Sequence, residues 1–167
     1  MTLPVTAFVA AVCALLLLAT AIDTVRQRLR VQAAFGDHGD AKLISASRSH
    51  GNLAEYAPIT IILLGLLESA RANHMALMVI GAIFLIGRVA HIAGLYAKIE
   101  PGKAPIPRQI GVVATFGTLL ALGGWTLWML ATVKRGSTFH QRHRPYPPRA
   151  GAFDLHRETA QRPAGRR

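Results

Sequence analysis

Four long apolar runs set the limits on what this chain of 167 residues can become. They cover roughly residues 3–25, 53–67, 75–96 and 110–133. A helix rises about 1.5 Å per residue, so about 20 apolar residues cross a hydrocarbon layer of about 30 Å. Four such spans with short connections use up nearly the whole chain. The expected fold is therefore all-α, an integral membrane four-helix bundle occupying residues 1–135, with spans near 3–25, 45–70, 75–98 and 109–133. The second run is short, so its helix is expected to begin outside the membrane near Ser45 or Ser47, either of which could act as its N-cap, and to kink at Pro58.

Composition agrees. Hydrophobic residues make up 51% of the chain and charged ones only 16%, against about 25% in a soluble domain. A soluble globular enzyme is excluded. The net charge of +11 is also segregated. Residues 1–133 hold 10 Lys/Arg and 6 Asp/Glu, whereas residues 134–167 hold 9 and 2. Residues 136–167 are rich in Arg, Pro, Gly and His, bury little, and are expected to be a disordered basic tail. The tail suits anionic lipid headgroups; its aromatic residues Phe139, Tyr146 and Phe153 are too sparse for nucleic-acid stacking, and no nucleic-acid partner is expected. The lone Cys13 can form no internal disulfide. The amino terminus has no basic side chain before its apolar run, so that run is expected to be a retained span and not a cleaved signal. The resulting expectation is a multi-pass integral membrane protein.

Charges at membrane depth cost several kcal/mol and are expected to be paired. Arg88 lies mid-way along the third span, with His91 on the same face. The nearest counter-charge at similar depth is Glu55, which predicts an interhelical Glu55–Arg88 pair. Arg48, Asn52, Glu55 and Tyr56 follow helical spacing i, i+4, i+7, i+8 and are expected along one polar stripe. Asp23 and Glu68 sit near span ends and read as interfacial. No His/Cys spacing matches a metal site, and none is expected.

The string from Arg48 to Pro58, with Arg48, His50, Asn52, Glu55 and Tyr56, resembles the second-helix signature of the MAPEG family, the membrane-associated proteins in eicosanoid and glutathione metabolism. Gly87-Arg88-Val89-Ala90-His91 and the Ala104–Arg108 segment are similar to that family's third helix and following loop. The eicosanoid-forming relatives place a tyrosine seven residues after the third-helix arginine; here that residue is Leu95, with Tyr96 one place on.

The resemblance implies a homotrimer in membrane lipid that binds glutathione as co-substrate together with a hydrophobic second substrate. Arg30, Arg48, His50, Asn52, Glu55 and Tyr56 would form the glutathione site, Glu55 and Arg88 a structural ion pair, and Arg108 the catalytic cation beside the thiol. The implied activity is that of a glutathione-dependent transferase or peroxidase acting on lipophilic electrophiles. The alternative is a non-catalytic trimeric membrane protein of the same type that binds a lipid or thiol.

Overall fold

Proline and left-handed residues mark where the helices begin and end. Pro4 opens helix α1 (Pro4–Val31), where its missing N–H costs nothing. The helix stops at Gln32, which adopts a left-handed conformation (φ 53°) while the next amide, from Ala33, returns to the Arg28 carbonyl at 3.0 Å. Helices α2 (Ala41–Ser69), α3 (His74–Tyr96) and α4 (Ile106–Arg142) follow, in a computed structural model that describes residues 2–97 and 103–142, with side chains as far as residue 132. There are no strands among the described residues.

α1, α3 and residues 106–132 of α4 are long and apolar enough to cross a membrane. α2 is as long, with 29 residues, but Lys42, Arg48, Asn52 and Glu55 make its first half polar. On α1, Phe8, Leu15, Leu18, Ile22, Val25 and Leu29 form an exposed apolar stripe. It runs for about 32 Å from Phe8 to Leu29, its last part beside Asp23, Arg26 and Arg28. Inside, Val9 and Cys13 of α1 meet Leu53, Leu64 and Leu67 of α2, Leu77 and Phe84 of α3, and Leu122 of α4.

α3 and α4 approach along glycines. A Cβ on Gly94 would lie 2.3 Å from the Arg108 amide nitrogen, and one on Gly111 would lie 2.6 Å from the Gly87 carbonyl oxygen. Backbone against backbone leaves no room for any side chain there.

Several boundaries differ from the sequence expectation. α2 begins at Ala41, capped by Asp40 and not by Ser45 or Ser47; the Asp40 carboxylate accepts the Leu43 amide at 2.8 Å. Ser45 instead donates to the Leu95 carbonyl of α3 at 2.8 Å. α4 starts three residues earlier than expected and continues to Arg142, seven residues into the segment expected to be disordered. Once a helix has nucleated in the membrane, each further residue adds a hydrogen bond without a new nucleation cost. The remaining tail, 143–167, lies outside the described residues.

Candidate functional site

At the end of the bundle where α1 finishes and α2 begins, a groove of about 170 Å³ is lined by Asp37, Ile44, Ser47, Arg48, Asn52 and Glu55. Helical spacing puts the last three on one side of α2, and the Asn52 amide donates to the Arg48 carbonyl at 2.8 Å. The Arg48 and Glu55 side chains are exposed and make no ion pair among the described residues. One guanidinium and one carboxylate therefore face outward without an ion-pair partner, beside an amide already bonded to the α2 backbone.

Arg30 does not line the groove; its guanidinium donates to the Asp40 carboxylate, which also caps α2. The Arg30 hydrogen bond, followed by the Leu43 amide, holds the Asp40 carboxyl below the usual aspartate range. A depressed pKa means that its contribution is present at neutral pH and is lost as the pH falls through that lowered value. The first turn of α2 is accordingly expected to stay ordered at pH 5 and to fray only below about pH 4. In Asp40→Ala it should be frayed at every pH. The Leu43 amide resonance in micelles, followed by NMR against pH, checks this.

The Glu55–Arg88 pair expected from the sequence is not made within the protomer. Arg88 is buried, 2% exposed, and its Nη2 donates to the Gly111 carbonyl at 3.0 Å and to the Thr115 hydroxyl. Its guanidinium also lies over the Tyr56 ring, 5.5 Å from the centroid, and 5.8 Å from that of Phe84. Cation–π contact and a helix carbonyl replace the carboxylate. The reason is rotation: Tyr56 faces Arg88, and Glu55, one residue earlier, points about 100° away, out into the groove. Arg88 Nε and both ring nitrogens of His91, which is 5% exposed, have no hydrogen-bond partner among the described residues.

The other expected site residues divide in the same way. Tyr56 turns inward, edge-on to Phe116 at 6.2 Å, and is not in the groove. His50 faces α1, where Nδ1 is 3.2 Å from the Thr20 hydroxyl, so it orders the α1–α2 contact. Arg108 is exposed on the first turn of α4, its backbone against Gly94, and does not line the groove. The Tyr96 hydroxyl donates to Asp23 instead of taking the place of a tyrosine at position 95. Among the described residues no group of three His, Cys, Asp or Glu side chains is placed to hold a metal ion.

Sequence reasoning missed two roles. Asp40 directly before the run Ala41-Lys42-Leu43 was a legible N-cap signal. Glu68 was not legible: it is partly buried, and it caps α1 from the end of α2, a contact taken up in the Discussion.

Residues 6–152 match the model of one family, MAPEG. The chain belongs to the MAPEG family. Two curated relatives, each named inner membrane protein YecN, from Escherichia coli K12 and Escherichia coli O6:H1 strain CFT073, are 35% identical to it over 126 residues. Those residues are 75% of this chain and 92% of each relative. No solved structure matches. As a MAPEG protein with three helices apolar enough to span a bilayer, the chain is an integral membrane protein.

Proposed function

We propose that this MAPEG chain is a glutathione-binding enzyme of the inner membrane, a transferase or peroxidase for lipophilic electrophiles, and that it works as a homotrimer. The observation that carries the reading is the groove beside Arg48, Asn52 and Glu55. Glutathione bears two carboxylates and one ammonium group. Arg48 can hold a carboxylate through forked hydrogen bonds, and Glu55 can accept from the ammonium. Family resemblance adds Arg108 as the cation that stabilises the thiolate, which would displace a leaving group such as chloride from an activated aromatic ring.

The groove is small and open. Ligand sites usually enclose about 300–1,000 Å³, so one protomer supplies only part of the wall. Arg48, Asn52, Glu55, Ile59, Ile62 and Leu66 alternate at spacings of four and three along α2, and the three apolar ones are exposed. This is a heptad seam with isoleucine at both kinds of core position, a pattern that favours three or more strands. A seam of this type would join α2 helices from different copies and set a second protomer against the groove.

Leu95 and the outward Arg108 favour a second reading, in which the trimer binds a thiol or lipid without turnover. A glutathione titration on detergent-solubilised protein separates these readings. The wild type should bind. Arg48→Ala should bind about tenfold more weakly, the loss expected for one charge-assisted contact. Absence of binding by the wild type ends both the enzyme reading and the thiol-binding one. Binding without conjugation of a chloronitrobenzene-type electrophile leaves the non-catalytic reading in place.

A further inference from the structure

At the opposite end of the bundle, a groove of about 340 Å³ runs between α1 and α3, lined by Pro4, Phe8 and Val9 on one side and His74, Met78 and Ala82 on the other. Its inner boundary is tight: a Cβ on Gly81 would lie 2.9 Å from a Val9 methyl group, so the two helices nearly touch there. Across the first turn of α1 lies a second depression, lined by Leu3, Glu68, Ser69 and Arg71. The two are neighbours. Glu68 lines the second and accepts the amide of Val5, which borders the first, while His74 Nδ1 stands 3.9 Å from the Glu68 carboxylate.

We infer that this end of the protein binds an anionic phospholipid, one acyl chain lying in the α1–α3 groove and the phosphate against Arg71 and His74. The groove is about 12 Å long from His74 to Ala82, its walls are apolar, and it is open along its length, which suits an acyl chain entering from the surrounding lipid.

Position and charge supply the head. Phe8 starts the exposed apolar stripe of α1, so residues 68–74 fall at headgroup level. The Arg71 side chain is exposed, and its guanidinium has no partner among the described residues. Glu68 lines the same depression, but its carboxylate accepts the Val5 and Thr6 amides and the Thr6 hydroxyl at the start of α1, where the positive end of the helix dipole offsets part of its charge. Arg71 itself stands in a left-handed conformation (φ 59°), outside the regular helix. This inference does not depend on the glutathione reading, since the two sites lie at opposite ends of the bundle.

The test uses the full chain, delipidated in detergent and titrated with phosphatidylglycerol or phosphatidylcholine carrying the same acyl chains, with thermal midpoint and retained lipid mass as readouts. The wild type should bind phosphatidylglycerol about fivefold more tightly than phosphatidylcholine, the effect of one cation near an anionic headgroup. Arg71→Gly suits the left-handed backbone and so should fold; it should abolish that preference. Arg71→Lys should keep it. Ala82→Phe, at an exposed position inside the groove, should weaken both lipids. Equal binding of the two lipids by the wild type overturns the inference, as does a preference that survives Arg71→Gly. So does an Ala82→Phe variant that changes the oligomeric mass while leaving lipid binding intact, because the groove would then be a contact between copies.

Discussion

Gly94→Ala is expected to destabilise the folded bundle by about 3 kcal/mol, the upper part of the range for overpacking a filled interior. The added Cβ would stand 2.3 Å from the Arg108 nitrogen and 2.7 Å from its Cα. Neither is the far end of a flexible side chain, so relief requires α4 to move away from α3. That movement would also lengthen the Arg88–Gly111 hydrogen bond, now 3.0 Å, which anchors the buried guanidinium. Gly111→Ala should behave similarly, meeting the Gly87 carbonyl and the His91 Cβ. Gly117→Ala is the control: nothing lies within 4 Å of a Cβ there, and alanine is the better helix former by about 1 kcal/mol, so it should be neutral or stabilising. Denaturant unfolding in micelles, read by helical circular dichroism, measures all three. If Gly94→Ala and Gly117→Ala unfold alike, the close α3–α4 approach is wrong.

Glu68→Ala is expected to cost about 2–3 kcal/mol and to loosen the start of α1. That helix has no capping side chain of its own, because Leu3 occupies its N-cap position and its first turn carries no acidic residue. Glu68 replaces both from across the bundle, accepting from the Val5 amide at 3.0 Å, the Thr6 amide at 2.9 Å and the Thr6 hydroxyl at 2.7 Å. A carboxylate at a helix N-terminus satisfies orphan amides and complements the helix dipole. Removing it leaves two part-buried amides and a hydroxyl without their acceptor, which is the more costly way to lose a hydrogen bond. Glu68→Gln keeps one acceptor oxygen and should fall between the wild type and Glu68→Ala. Amide exchange at Val5 and Thr6 localises the effect; unchanged protection there in Glu68→Ala would refute the cap.

These contacts indicate how far the sequence could be read. The four helices, their membrane character and the polar wall at Arg48, Asn52 and Glu55 follow from local features: long apolar runs and helical spacing. Those features also required Arg88 to be satisfied inside the membrane. They did not say by what. Charge matching pointed to Glu55, whereas α4 supplies Gly111 and Thr115 and α2 supplies the Tyr56 ring. Likewise Glu68 read as an interfacial residue, because nothing within a few positions of it shows that a helix beginning some 60 residues earlier lacks a cap.

The sequence by itself determined that this protein is a helical membrane bundle of MAPEG type with a polar second helix, because the energy of placing each residue in lipid or on a helix face depends mainly on that residue and its near neighbours. Only the tertiary structure decided which polar groups meet. A change of one position turns a side chain by about 100° around its helix. Whether Glu55 or Tyr56 faces Arg88 therefore depends on how α2 is rotated against α3 and α4, which is set by the glycine contacts and by packing of the whole core.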